Sequence, residues 1–390
     1  MYRVLVHHRN EYGEEPEVVV DVPGVMTILG SYSDFCDGYA LMCTNTQGLR
    51  LAISRRADNT VKVYNHTIQD RKKFQLSGLK CKSDDKWIST VKAVFIALQH
   101  DGIALPGMDI SITGRTAHSD YDTLAAAVAA GFLIAFNDLL DLSLSLNDML
   151  RIAHAANAYS NGSSRLRDLL TLFIIKKKEL VLFDLETYNY ETMENPFDND
   201  EITTYILDCG IPKNILYEEE RKVQEETKVT MELIRKTMEK GTRLRDYSTR
   251  ELKYQRGLAG ENALRYANFT LSESSRVLKA WDALKHCDRN QFSKILLEQQ
   301  DGIYEDLEVT SPEVEWLIKR ANENPHVYAS SLISMGLSGH ILIVGERGLA
   351  EQFEDKLGEY ERIFDFHATL RPFSPTGGVR ILRDDDSIGQ

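Results

Sequence analysis

The order of hydrophobic patterns along the chain constrains its fold more than any other sequence feature. Short segments rich in Val, Leu and Ile open the chain, helical periodicity dominates its second half, and short apolar segments return near the end. Short β-branched runs between turn residues are typical of strands, and apolar residues three and four apart are typical of helices. The sequence therefore predicts an α+β fold in two lobes.

These patterns place the elements as follows. Strands are predicted at residues 3–8, 17–22, 49–55, 60–64, 108–113, 180–183, 341–344, 364–369 and 378–382. Helices are predicted at 87–100, at 217–239 and at 262–300. Another helix is predicted to begin at about residue 123, and a further one to end at residue 157. Ser145 and Asp148 are spaced as a capping box, so the helix that ends near 157 is expected to begin there.

The length of 390 residues is comfortable for two domains rather than one. Composition turns acidic and polar between residues 188 and 200, which is typical of a boundary. We predict an N-terminal domain at 1–190 and a C-terminal domain at 191–390, with the final strands returning to the first. The acidic tail at 384–390 is predicted to be disordered.

Composition excludes several classes of partner. The formal net charge of −13 argues against binding to nucleic acid or to an anionic membrane surface. The longest apolar run, Leu124 to Phe136, is too short to cross a bilayer, and the N-terminus has no signal-peptide pattern. Five cysteines without paired spacing predict reduced thiols in a cytoplasmic protein and no metal site.

The segment at residues 22–41 is a turn punctuated by Gly and Pro that leads into a strand. It resembles the galactokinase signature, and it keeps the frame of that signature at Pro23, Gly24, Leu29, Gly30, Asp34, Gly38, Tyr39 and Leu41. Further similarity, in the same order and spacing, covers roughly residues 20–382. The resemblance to galactokinases, of the GHMP small-molecule kinases, implies a two-lobed fold with the ligand cleft between the lobes. It also implies that Asp34 binds a sugar hydroxyl.

Four positions of the signature depart from the family pattern. The family's Arg, Asn, Glu and His correspond here to Val25, Thr27, Ser31 and Tyr32. Much of the signature's chemistry is therefore missing, although its frame is kept.

The phosphate loop departs further. Kinases of this superfamily place a glycine-rich loop at a helix N-terminus, where backbone N–H groups approach the triphosphate. The matching stretch at residues 116–126 contains no glycine and includes His118, Asp120, Asp122 and Thr123. The two aspartates fit helix N-caps, and their charge should repel ATP. Arg115 and His118, or a bridging magnesium ion, are the ways in which this repulsion would be offset.

The resemblance assigns the catalytic base to Asp168, with Asp184 sixteen residues later at the family's spacing. The alternative is an ordinary aspartate in a charged, partly exposed helix. Arg165 or Arg167 would replace the family's cation, although neighbours on a helix point in different directions. Tyr217 matches a sugar-contacting tyrosine, the alternative being a position on a helix surface.

Two functions follow from these observations. The first is a catalytically impaired relative, a pseudokinase, that binds a sugar-like small molecule or a protein partner. It needs no cofactor, and millimolar MgATP should neither bind measurably nor be hydrolysed. The alternative is an active, divergent sugar kinase that transfers the γ-phosphate of ATP to the anomeric hydroxyl of galactose or a related sugar. A purely structural interaction protein would instead need an exposed apolar patch.

Overall fold

A computed structural model describes residues 2–114, 121–160, 164–212, 214–238, 242–252, 257, 259–333 and 339–383. The helices are α1 (Tyr2–Tyr12), α2 (Ile88–His100), α3 (Tyr121–Leu139), α4 (Leu146–Ala156), α5 (Leu166–Ile174), α6 (Asn214–Thr237), α7 (Thr249–Leu252), α8 (Glu261–Lys285), α9 (Arg289–Gly302), α10 (Pro312–Asn322) and α11 (Leu349–Phe364). The strands are β1 (Val18–Leu29), β2 (Tyr39–Arg56), β3 (Thr60–Asn65), β4 (Asp70–Gln75), β5 (Gly107–Gly114), β6 (Glu179–Asp184), β7 (Tyr190–Glu194), β8 (Ile202–Asp208), β9 (Val327–Leu332), β10 (His340–Glu346), β11 (Thr369–Phe373) and β12 (Arg380–Ile381). This mixture confirms the predicted α+β class.

Two compact units are formed from separated stretches of the chain. Within the described residues, the first contains Met1–Val25, Thr44–Lys177 and Thr376–Gln390, and the second contains Met26–Cys43 and Lys178–Pro375. The predicted domains are continuous stretches, whereas β1 and β2 each run from one unit into the other. The segment between these two crossings, residues 26–43, belongs to the second unit.

The first unit is built on a mixed sheet. Its strands follow the order β12-β1-β2-β5-β3-β4, in which β3 and β5 are parallel and the β12–β1, β2–β5 and β3–β4 pairs are antiparallel. Helices α2 to α5 pack together, and Phe95 forms T-shaped contacts with Phe132 and Phe136 in their core. The described residues beyond 376 return to this unit, where Ile381 pairs with Val20 of β1.

The second unit contains an antiparallel sheet of order β11-β8-β10-β9. Residues 39–42, at the start of β2, pair with β6, which also pairs with β7. In the inner strands β8 and β10, Leu207, Ile341 and Ile343 are fully buried among apolar residues of the helices. Such burial accounts for most of the stability of an element of this kind.

The N-terminal segment corrects one sequence prediction, since residues 3–8 form part of a helix rather than a strand. Val4 and His8, four residues apart, are both fully buried, and they face the sheet. The His8 imidazole hydrogen bonds to Ser54 at 3.0 Å, and the Tyr12 hydroxyl donates to the Ile110 carbonyl at 2.9 Å. These polar contacts with strands far away in the chain hold α1 against the sheet. The apolar pattern of the segment alone does not reveal the helix.

Two other predicted elements differ in extent. The helix predicted at 262–300 is two helices, because the chain breaks at Cys287, where φ is +53°. The strand predicted at 364–369 is wrong for most of its length, since α11 continues to Phe364 and β11 begins only at Thr369. The capping box of Ser145 and Asp148 at the start of α4 is confirmed. Across the part of the chain that the structure describes, every helix is too short or too polar to span a membrane.

Candidate active site

Asp168 lies in the first turn of α5, with a side chain that is only 1% exposed. Thr123, in the first turn of α3, lies beside it, with 3.2 Å between the Thr123 Oγ1 and Asp168 Oδ2 atoms. The starts of two helices thus meet at one carboxylate. An acidic group in the first turn of a helix is also stabilised by the helix dipole.

Two arginines of the same segment face this carboxylate. Arg165 is the N-cap of α5, and its Nε lies 3.1 Å from Asp168 Oδ2 while its terminal nitrogen donates to Thr123 Oγ1 at 2.9 Å. The Nε of Arg167, itself only 1% exposed, lies 3.8 Å from Asp168 Oδ1. The expectation that these neighbours point in different directions is wrong, because Arg165 has an extended backbone and turns back over the first turn.

The burial of Asp168 also corrects the alternative of a partly exposed helix position. A buried carboxylate is stable as an anion only when it is paired and hydrogen-bonded. Arg165, Arg167 and Thr123 supply that pairing. The arrangement fixes the orientation of the carboxylate, which is what a general base requires.

In the second unit, the turn at Gly30 and Ser31 is held by a glutamate from α8. The Glu273 Oε1 atom accepts hydrogen bonds from the backbone N–H of Gly30 at 2.7 Å and of Ser31 at 3.0 Å. Gly30 has a φ of +92°, and a Cβ there would lie 2.3 Å from the Tyr39 carbonyl oxygen, so only glycine fits. Asp34 follows in a 3₁₀ helix (Ser33–Cys36), where it is partly exposed.

Arg245, whose side chain is 4% exposed, also contacts the segment that follows this turn, at Asp37 and Tyr39. It lies 2.7 Å from Asp184 and 2.6 Å from Glu186, and its guanidinium sits over the Tyr39 ring at 4.8 Å. Burial acts to raise the pKa of Asp184, but the hydrogen bonds from Arg245 and from backbone N–H groups outweigh it and hold the pKa below its usual range. Arg245 therefore links β6 to the segment that carries Asp34.

Comparison with known proteins adds to this geometry. A family model described as the galactokinase galactose-binding signature matches residues 7–55. A Treponema pallidum protein, provisionally named a galactokinase, is 27% identical over 391 residues, covering 98% of this chain and 97% of its own. The galactokinase of Thermococcus kodakarensis is 24% identical, covering 92% of this chain and 99% of its own. The chain is therefore similar to galactokinases over nearly its whole length.

The solved structures agree on the fold. Lactococcus lactis galactokinase, complexed with galactose, has a TM-score of 0.86 at 20% identity and covers 98% of this chain and 99% of its own. Methanococcus jannaschii mevalonate kinase has a TM-score of 0.62 at 11% identity, covering 92% and 98%. The predicted GHMP-kinase-like fold is confirmed.

The four positions at which this chain departs from the signature are all buried. Val25 is 3% exposed, Thr27 and Ser31 are each 7% exposed, and Tyr32 is 1% exposed. Tyr32 packs edge-on against Phe269 with 5.7 Å between the ring centroids. These substituted residues therefore serve packing within this chain.

Of the site residues predicted from sequence, the structure brings Thr123 and Asp168 together. His118 and Asp120 lie outside the described residues, as does the Asp122 side chain at the start of α3. Tyr217 lies in α6, but its side chain is likewise outside the described residues, so its predicted sugar contact stays a prediction. The predicted tail at 384–390 is outside them as well.

Glu273 and Arg245 received no role from the sequence. Both lie in stretches that resemble the family, but their partners are far away in the chain. Glu273 is 243 residues from Gly30, and Arg245 is 61 residues from Asp184. The only sequence signal was an acidic residue inside the buried stripe of a long helix, where an uncompensated charge is costly.

Removal of Arg245 should make the free energy of unfolding depend less on pH in the acid range. The low pKa of Asp184 adds stability above the unfolded-state pKa of about 3.9, and this contribution is lost as pH falls through the folded-state value. We expect Arg245→Met to lower the free energy of unfolding by about 2 kcal/mol at pH 7. Urea titrations at pH 7, 4 and 3 should show the difference from the parent protein shrinking below pH 4. A difference that is constant with pH would contradict the Asp184 pairing.

Proposed function

We propose that the protein is a sugar kinase that transfers the γ-phosphate of ATP to the anomeric hydroxyl of galactose or a related sugar. The observation that carries the proposal is the Asp168 carboxylate, fixed between Arg165, Arg167 and Thr123. The match of residues 7–55 to a galactose-binding signature supports the sugar class. Asp34, kept from that signature, is the proposed ligand of a sugar hydroxyl.

Asp168 acts as the base in this proposal. Its Oδ2 is engaged by Arg165 and Thr123, whereas the Arg167 Nε lies 3.8 Å from Oδ1, beyond hydrogen-bond length. Oδ1 is therefore the oxygen that accepts the proton of the anomeric hydroxyl. The sugar oxygen forms its bond to the γ-phosphorus, the bond from that phosphorus to the β–γ bridging oxygen breaks, and ADP leaves with its electron pair.

The charge beside Asp168 suits a phosphate-bearing substrate. Arg165 contacts both Asp168 and Thr123, so its guanidinium lies close to the start of α3. A helix N-terminus adds a positive partial charge of its own. MgATP would enter this region as the phosphoryl donor, with Arg165 as the cation that also contacts α3.

Arg165→Met should weaken both MgATP use and turnover. The variant removes a charge-assisted bond to Asp168 and a second bond to Thr123, so we expect kcat and MgATP affinity each to fall about tenfold to hundredfold. A coupled assay for ADP release with galactose and MgATP measures both. Arg151→Met is the matched control, because Arg151 is an exposed residue of α4 that pairs with Asp101. Parent-like kinetics in Arg165→Met would count against the proposed role.

A second candidate function is a sugar-binding relative without phosphoryl transfer. Two observations favour it: the stretch at residues 116–126 has no glycine, and Asp168 is as buried as a structural anchor would be. Calorimetry decides between the two candidates. A micromolar dissociation constant for MgATP supports the kinase, whereas galactose binding without any MgATP binding supports the second candidate.

A further inference from the structure

A polar cavity of about 870 Å³ lies in the first unit, between α1 and strands β1, β2, β3 and β5. Its size falls within the range of about 300–1,000 Å³ that is typical of small-molecule sites. None of the residues proposed for phosphoryl transfer or sugar binding lines it. The cavity therefore has no part in the function proposed above.

One wall of the cavity is a column of planar groups. The His66 ring lies 4.4 Å from the His7 ring and 3.9 Å from the Tyr64 ring, and the Arg71 guanidinium sits over Tyr64 at 3.8 Å. Burial lowers the pKa of His66 to about 4, so this ring is neutral at pH 7. The ring faces are largely taken up by contacts within the column, so they offer little surface to a planar heterocycle.

The charges around the cavity leave a positive surplus. Glu11 is neutralised by Arg71, with contacts of 2.6 and 2.7 Å. Asp21 faces two arginines, since Arg50 lies at 3.0 Å and Arg380 at 3.4 Å. Arg3 lines the cavity and forms no ion pair with any described residue. In a chain with a formal net charge of −13, such a local surplus favours a small anion.

The neutral part of the lining is rich in amides and hydroxyls. They come from α1, from the middle of β2, from the β3–β4 turn and from the end of β5: Asn10, Thr46, Gln47, Thr67, Gln69 and Thr113. Each of these side chains both donates and accepts hydrogen bonds, as each hydroxyl of a polyol does. A simple inorganic anion would not use this many groups of that type.

We propose that this cavity is a second ligand site, which binds a small polyhydroxylated anion of the sugar phosphate class. The sugar hydroxyls bond to the amides and hydroxyls of the lining. The phosphate pairs with Arg3 and with the positive charge that Arg50 and Arg380 leave around Asp21. Because the ligand would touch both α1 and the sheet, its binding stabilises the attachment of α1.

Calorimetry with galactose 6-phosphate tests the site in the full-length protein. We expect measurable binding for the parent protein and at least tenfold weaker binding for Arg3→Gln. Arg9→Gln is the matched control, because Arg9 is an exposed arginine of the same helix that pairs with Glu15 and does not line the cavity. It should bind like the parent protein, and so should Arg165→Met, whose substitution lies in the proposed transfer site.

Two further probes separate the parts of the proposal. Inorganic phosphate alone should bind at least tenfold more weakly than galactose 6-phosphate, and galactose alone should bind equally well to the parent protein and to Arg3→Gln. Equal binding of inorganic phosphate would reduce the site to a simple anion site, and weaker galactose binding by Arg3→Gln would show that the cavity takes the neutral sugar. The proposal is overturned if no binding occurs, if Arg3→Gln binds like the parent protein, or if Arg165→Met abolishes binding.

Discussion

Asp168→Asn should lower kcat for galactose phosphorylation by about two to four orders of magnitude, the usual contribution of a general base. The amide has nearly the volume of the carboxylate, but it cannot take the proton of the anomeric hydroxyl. It also leaves Arg165 and Arg167 facing a neutral group in a buried place. We therefore expect a loss of about 3 kcal/mol in the free energy of unfolding as well.

The two effects are separated by measuring turnover at a temperature where urea titration shows the variant to be folded. Asp138→Asn is a suitable control, because Asp138 lies on α3 and its side chain is 41% exposed. Turnover in folded Asp168→Asn within a factor of ten of the parent protein would rule out Asp168 as the base. A parent protein without turnover would favour the non-catalytic candidate, and the stability loss would still be expected.

Glu273→Ala should be among the most destabilising single changes in the second unit. Glu273 is 2% exposed, and its loss leaves the backbone N–H groups of Gly30 and Ser31 without their acceptor. Each buried donor without a partner costs about 1–3 kcal/mol, so we expect a loss of about 3 kcal/mol. Because the same turn leads into the helix that carries Asp34, galactose affinity should fall at least tenfold.

Glu273→Gln keeps an acceptor oxygen without the charge, so it should lose only about 1 kcal/mol. Asp282→Ala is the control on the same helix, since its side chain is 75% exposed. Urea titration and thermal shift with galactose measure stability and affinity. If Glu273→Ala matched the control in both, the turn would not depend on the glutamate.

Local signals in the sequence predicted much of the fold. The capping box at Ser145 and the apolar stripe of α2 are set by residues a few positions apart, and both elements form where expected. Helix α1 was missed because its buried face contains His8 and Tyr12, which are acceptable there only through hydrogen bonds to strands far away in the chain. The break at Cys287 depends on a single left-handed residue that is not glycine, which sequence patterns rarely reveal.

The candidate site likewise contains residues that the sequence predicts and residues that it does not. Asp168 and Thr123 are candidates because the family pattern places them, and the structure brings their side chains into contact. The sequence suggests Arg165 as a replacement for the family's cation but not how it reaches Asp168, because that depends on its position as an N-cap, just outside the helix, where the backbone turns the side chain back. The sequence does not reveal the role of Glu273, because its partners are the backbone N–H groups of Gly30 and Ser31. Such groups are present in almost any sequence, so they give no signal of their own.

The discontinuity of the two units determines when the protein can fold during its synthesis. The second unit needs residues up to Pro375, and the first needs the strand at 380–381 that pairs with β1. A ribosome adds about 5–20 residues per second, so nearly the whole chain must emerge, over roughly 20 to 75 s, before either unit has all its parts. Early release of the chain, even a few dozen residues short, would leave both units incomplete and apolar strands exposed to aggregation.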